Sequence, residues 1–132
     1  MQWNGQENAG FTTGTPWLPV NPNYTSINAE AALADPDSVF WYYKKLIALR
    51  KEYPVFVEGD FTLLEEEHPQ LFVYRRSTKN EQILVVCNFS GTDVSWSLPG
   101  EWTTAEMLIS NYPDQVQKTL RPWEATILHR AL

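Results

Sequence analysis

From Val55 to the end of the chain, hydrophobic residues recur in short runs, each closed by glycine, proline, asparagine or aspartate. The runs are Phe61–Glu65, Gln70–Arg76, Gln82–Phe89, Asp93–Leu98, Thr104–Ile109 and Glu124–Arg130, with breaks such as His68-Pro69, Lys79-Asn80, Ser90-Gly91, Pro99-Gly100 and Tyr112-Pro113-Asp114. Period two places alternate side chains on opposite faces of a strand, and short strands with frequent turn signals close into a sandwich or barrel. Asp93-Val94-Ser95-Trp96-Ser97-Leu98 alternates cleanly, so Val94, Trp96 and Leu98 should point inward. Ile83-Leu84-Val85-Val86-Cys87 has no polar face, which predicts a central strand covered on both sides.

The first part of the chain follows a different pattern. Residues 1–34 are rich in Asn, Gly, Thr and Pro and sustain neither period 2 nor period 3.6, so they read as a long loop with at most one helical turn at Asn28–Leu33. A loop of that length is unusual inside a small self-contained domain and belongs more naturally to a rim or linker. Asp35-Pro36-Asp37-Ser38 then reads as a helix start, with Asp35 as N-cap and Pro36 in the first turn, and the helix should run to Tyr53, ahead of Pro54. Leu49, Tyr42, Tyr53, Leu46, Val39, Tyr43, Ile47 and Phe40 fill an arc of roughly 180°, wider than the ~100° stripe that suffices for a helix lying on one core. The helix is therefore expected to pack against two bodies. Arg50 falls inside that arc, either snorkelling at the C-terminal end of the helix or paired between helix and sandwich.

A chain of 132 residues can supply one complete core and an attached piece, but scarcely two cores. Ten basic against sixteen acidic residues give a net charge of −6 with no basic run, which argues against nucleic acid as a partner. No stretch reaches the apolar length of a membrane span, and the N-terminus has neither the basic nor the apolar region of a secretory signal, so a cytoplasmic location is expected. The single cysteine, Cys87, reads as an inert buried thiol in its apolar strand.

No catalytic set is legible. Glu65-Glu66-Glu67 is the densest carboxylate group, but strand alternation sends its members to opposite faces, as at a solvated hairpin tip, whereas glycoside hydrolysis needs two carboxyls facing one bond. His68 and His129 lack companions at metal-ligand spacing, and the chain carries no nucleophile elbow or phosphate loop. No cofactor, metal ligand or substrate-binding residue is assigned. Six tryptophans raise the alternative of a free-standing carbohydrate-binding module. Trp96 faces inward, Trp102 and Trp123 fit core or corner packing, and Trp3 and Trp17 in the loop stay open.

Several stretches together resemble the C-terminal end of α-glucosidases of the oligo-1,6-glucosidase and dextran glucosidase type, within the α-amylase family. They are Met1-Gln2-Trp3-Asn4, Asn8-Ala9-Gly10-Phe11-Thr12-Thr13-Gly14-Thr15-Pro16-Trp17, Val20-Asn21-Pro22-Asn23-Tyr24, Asp35 to Phe40, Tyr42 to Ile47, Leu49-Arg50-Lys51, Val86 to Ser90 and Leu120 to Ala125. The resemblance implies that residues 1–53 are the tail of a catalytic (β/α)8 barrel, with loop 1–34 walling the substrate pocket and 35–53 the last barrel helix. Residues 54–132 would be the C-terminal antiparallel β-sandwich. It also implies that the nucleophile, the acid/base and the calcium site lie upstream, with Met1 an internal residue of a longer protein. The fragment would then be non-catalytic, belonging to a retaining enzyme that cleaves α-1,6-glucosidic bonds, or to a trehalose-6-phosphate hydrolase or sucrose isomerase that shares this region. Its partner would be the barrel. Without it, Phe40, Tyr43, Ile47, Val39 and Tyr42 should need cover from residues 1–34 or from a second copy through self-association.

Overall fold

The computed structural model describes residues 1–114 and 118–132. The chain divides after Ile47 into two compact units, Met1–Ile47 and Ala48–Leu132.

In the first unit, the opening residues are folded by backbone bonds rather than by strands. The N–H groups of Trp3 and Asn4 donate to Ala9 O at 2.9 and 3.4 Å, and those of Ala29 and Glu30 donate to Gln2 O and Trp3 O, both at 2.9 Å. Asn8, Ala9 and Gly10 all take left-handed backbone conformations, with φ of 57°, 55° and 74°. Gly10 takes this conformation without the strain a side chain would carry, and a Cβ there would have to displace the Asn4 side chain, whose Nδ2 would stand 2.9 Å away. Short 3-10 turns cover Glu7–Gly10 and Pro22–Thr25, and the expected helical turn is present as α1, Ala29–Ala34. Asn28 caps it, its side-chain oxygen accepting from Ala31 N at 2.8 Å.

The main helix, α2, runs Val39–Glu52 and starts three residues later than expected. Asp35 ends α1 instead of capping α2: its N–H donates to Ala31 O, its carboxylate accepts from Asp37 N at 3.0 Å, and its carbonyl accepts from Ser38 N. The Asp-Pro-Asp-Ser sequence thus closes a turn, since a short carboxylate reaches the N–H two residues on as readily as one three on. The first bond into α2 is Tyr42 N to Ser38 O. The wide apolar arc divides: Leu49 is buried and Tyr42, Leu46 and Tyr53 are half-buried, whereas Val39, Phe40, Tyr43 and Ile47 are exposed.

The second unit is an antiparallel sandwich. A five-stranded sheet in the order β1-β2-β3-β7-β5 is built from β1 Asp60–Leu64, β2 Leu71–Ser77, β3 Glu81–Asn88, β7 Ala125–Ala131 and β5 Glu106–Ser110. The second sheet pairs β4, Val94–Ser95, with β6, Thr119–Leu120. Strand β3 is central as expected, with Ile83, Leu84, Val85 and Val86 all buried. One side of the large sheet, carrying Leu71, Val73, Leu84, Val86 and Leu128, closes on Val94, Leu120 and Trp102 to form the core, with Trp96 and Leu98 packed at its margin. The inward alternation of Val94, Trp96 and Leu98 therefore holds, although only Val94 and Ser95 form a ladder before Pro99.

Two local features depart from the sequence reading. Val55–Glu58 is a single helical turn, α3, and not the start of period-two structure; Glu81 Oε1 accepts from Val55 N at 3.3 Å, and α3 packs on β2 and β3. Gly59 follows it at a close approach, since a Cβ there would lie 2.6 Å from Val55 O. In β5, Met107 pairs with Leu128 and Ile109 with Ile127, so Leu108 is an extra bulged residue and both Leu108 and Ile109 are buried. Of the core and corner placements open to Trp123, the structure takes the corner. The residue is 61% exposed with φ 57°, its N–H donating to Ser90 O.

Candidate interaction surfaces

The residues singled out for chemistry do not converge. Glu65, Glu66 and Glu67 are all exposed at the turn after β1, and Glu65 Oε1 accepts from Trp96 Nε1 at 3.0 Å. His68 closes the same turn: its Nδ1 accepts from Gln70 N and Leu71 N at 3.2 and 3.1 Å, which assigns the ring proton to Nε2 and organises the start of β2. His129 Nε2 lies 2.9 Å from Glu81 Oε2, with Glu106 Oε2 3.9 Å from Nδ1 and the Tyr53 ring 4.8 Å away. This ties β7 to β3, whose Glu81 also receives α3. Among the described residues no three His, Cys, Asp or Glu side chains are grouped so that they could hold a metal ion.

Cys87 is only part-buried, but burial pushes its thiol up from 9.0 to about 11, which keeps it protonated near neutral pH. Arg50 lies exposed, with Nη1 donating to Phe56 O at 3.3 Å, so it snorkels from the helix end onto a carbonyl of α3. The cation best held is Arg121. Its guanidinium bonds Glu124 at 2.8 and 3.1 Å and Asp114 at 2.9 Å, and stacks over the Tyr112 ring at 4.0 Å.

Two apolar surfaces stand out instead. On α2, Val39, Tyr43 and Ile47 succeed one another at i, i+4 and i+8, with Phe40 alongside, and they are 43–73% exposed. With Lys44 they line an open depression of about 410 Å³. Residues 1–34 do not cover this stripe. Trp41 reaches back to Leu33 O at 3.2 Å, yet the four apolar residues beside it stay in solvent. On the outer face of the large sheet, Phe61, Tyr74, Phe72 and Phe89 form a continuous ladder of rings with centroids 5.2, 5.4 and 6.3 Å apart. All three phenylalanines are exposed, as is Leu63 beside them. Three of the four rings are phenylalanines without a hydrogen-bonding tip, and the fourth, Tyr74, is only half-buried. The loop of the first unit adds exposed Trp3, Phe11, Trp17 and Leu18, with Trp17 90% accessible. The helix stripe was legible from angular spacing. The ladder was not, because it depends on the register Phe61↔Arg76 and Phe72↔Cys87 across β1, β2 and β3.

Among the described residues, a helical lead-in precedes a five-plus-two-stranded antiparallel sandwich, and the exposed features that stand out are apolar faces. Residues 1–59 match the family described as "Alpha amylase, catalytic domain", and residues 61–127 match "Maltogenic Amylase, C-terminal domain". The chain belongs to the α-amylase family. It is 51% identical to an oligo-1,6-glucosidase from Parageobacillus thermoglucosidasius, over 96% of this chain and 24% of that protein. Among solved structures it resembles trehalose-6-phosphate hydrolase of Bacillus licheniformis, with 45% identity and a TM-score of 0.89, covering 99% of this chain and 25% of that one. It also resembles the trehalulose synthase from Pseudomonas mesoacidophila MX-45, with 40% identity and a TM-score of 0.89, covering 97% and 24%. The chain thus spans about a quarter of the length of the relatives it matches.

Proposed function

We propose that this chain is the non-catalytic C-terminal part of a retaining α-glucosidase that cleaves α-1,6-glucosidic bonds of isomalto-oligosaccharides or dextran fragments in the cytoplasm. In this reading residues 1–53 complete the catalytic barrel, with loop 1–34 at the pocket rim and the helix through Tyr53 as its last helix. Residues 54–132 form the sandwich that braces it. The observation that carries the reading is the uncovered stripe Val39, Phe40, Tyr43 and Ile47 on a helix inside the segment matched to the catalytic-domain family. Each such side chain gains roughly 1.5–3 kcal/mol on burial, so an adjoining body is the natural cover. The likeness to trehalose-6-phosphate hydrolase supports a second reading, the same structural role in an enzyme acting on that sugar phosphate.

The test compares the isolated chain with the longer protein that contains it. The isolated chain should show no turnover of isomaltose, dextran fragments or trehalose 6-phosphate, and no saturable sugar binding by tryptophan fluorescence. The longer protein should hydrolyse isomaltose with retention at the anomeric carbon. Tyr43→Lys with Ile47→Lys should sharply lower its soluble yield while leaving the stability of the isolated chain within about 0.5 kcal/mol. Turnover by the isolated chain, or saturable sugar binding, would overturn the structural role. Hydrolysis of trehalose 6-phosphate but not isomaltose by the longer protein would select the second reading.

A further inference from the structure

Asn4-Gly5 is the only Asn-Gly dipeptide in the chain; Asn21, whose Oδ1 likewise accepts from the N–H two residues on at 3.3 Å, is followed by a proline that has no N–H to react. Asn4 Oδ1 accepts from Gln6 N at 3.0 Å, closing an Asx turn that folds the side-chain carbonyl over the Gly5–Gln6 peptide. That bond draws electron density from Asn4 Cγ and makes it a better electrophile. The main-chain nitrogen of Gly5, which sits inside the ring so closed, makes no hydrogen bond among the described residues, and neither does Asn4 Nδ2. Gly5 also lacks the side chain that would hinder approach to its nitrogen. Asn28 is the contrast: its Nδ2 donates to Tyr24 O and its Oδ1 accepts from Ala31 N, both at 2.8 Å, and an alanine follows it.

We propose that Asn4-Gly5 is a site of spontaneous backbone modification, at which the folded chain converts Asn4 into aspartate and isoaspartate through a succinimide. Base removes the Gly5 amide proton, the nitrogen forms a bond to Asn4 Cγ, and the tetrahedral adduct expels Nδ2 as ammonia. Water then opens the ring at either carbonyl. Opening at one carbonyl leaves aspartate in an unchanged main chain; opening at the other routes the main chain through the side-chain carbon and lengthens it by one methylene. No oxidant, reductant or enzyme is needed.

The location gives the chemistry a structural effect. Residues 2–4 are held between Ala9 O on one side and the N–H groups of Ala29 and Glu30 on the other. The aspartate product can keep the bond to Gln6 N, and keeps it more strongly as a carboxylate. An isoaspartate displaces Gly5 and Gln6 relative to Trp3, which breaks the closure onto Ala9 and releases the exposed loop that carries Phe11 and Trp17.

The test incubates the folded full chain at neutral and mildly alkaline pH and follows it by peptide mapping, with an isoaspartyl methyltransferase assay as second readout. Asn4 should convert severalfold faster than Asn28, faster at the higher pH, with isoaspartate the larger product. Gly5→Ala should slow conversion severalfold without disturbing the fold, because a Cβ at Gly5 meets Thr25 O at 3.4 Å, an ordinary contact. A urea-unfolded sample separates dipeptide chemistry from folded geometry. Conversion no faster at Asn4 than at Asn28, an unchanged rate in Gly5→Ala, or a folded rate severalfold below the unfolded one would each overturn the proposal.

Discussion

Glu124 is 2% exposed, and both of its carboxylate oxygens face Arg121: Oε1 accepts from Nη2 at 2.8 Å and Oε2 from Nε at 3.1 Å, while Oε2 also accepts from Arg121 N at 2.7 Å. A buried carboxylate with this many donors is tolerated because its charge is matched on site. A glutamine in its place keeps the volume but loses the charge-assisted bonds to Arg121. We expect Glu124→Gln to cost about 2 kcal/mol, measured as a shift in the urea midpoint at constant slope.

The same guanidinium sets an acid limit. Its hydrogen bond to Asp114 is the main cause that holds that carboxyl below its ordinary value, and Asp114 is exposed. A depressed folded-state pKa contributes stability above the unfolded-state value, and that contribution disappears as pH falls through the folded-state value. Asp114→Asn should therefore lower stability slightly near neutrality and flatten part of the loss on acidification. Parallel pH profiles of wild type and variant would contradict this.

The thiol of Cys87 gives the opposite sign. Burial raises it to about 11, so between 9.0 and 11 the folded chain retains a proton that the unfolded chain releases. Its contribution is complete below 9.0 and is lost as pH rises towards 11. An aromatic disulfide reagent should label Cys87 slowly in the folded chain at neutral pH and rapidly after unfolding, and Cys87→Ala should show a flatter alkaline stability profile.

Gly59 ends α3 where no side chain fits, since a Cβ would lie 2.6 Å from Val55 O and 3.0 Å from Ser77 N. Both neighbours are main-chain atoms and cannot rotate away. Gly59→Ala should destabilise by roughly 1–3 kcal/mol through forced backbone movement. Arg76, which donates to Gly59 O at 2.8 and 3.2 Å, should lose part of its bonding in the same variant.

What the chain displays by its own periodicity was readable in advance: the central β3, the inward Val94, Trp96 and Leu98, and the divided face of α2. What depends on a count of two to four residues was not. The α3 turn and strand β6 are too short for any period to emerge, so Val55 to Glu58 passes for strand and Thr119-Leu120 for loop. Asp35 misled because an Asx turn and an N-cap share one sequence signal. The His129–Glu81 pair spans 48 positions and follows from register alone, as does the aromatic ladder. For Trp123 the sequence left core and corner both open, and only the fold, with its φ of 57° and 61% exposure, decides for the corner.

Strand β1 lies at the rim of the large sheet, pairs only with β2, and displays Phe61 and Leu63 outward. A rim of that kind is a template on which a like strand can add. Asp60 stands at its start and Glu65, Glu66 and Glu67 follow its end, so two such rims brought together would set acidic clusters against each other. These exposed carboxylates would then act as a colloidal guard against such pairing. Its range is that of screened Coulomb repulsion, about 10 Å at 0.1 M salt and shorter in brine, so the shelf life of concentrated solutions depends on ionic strength.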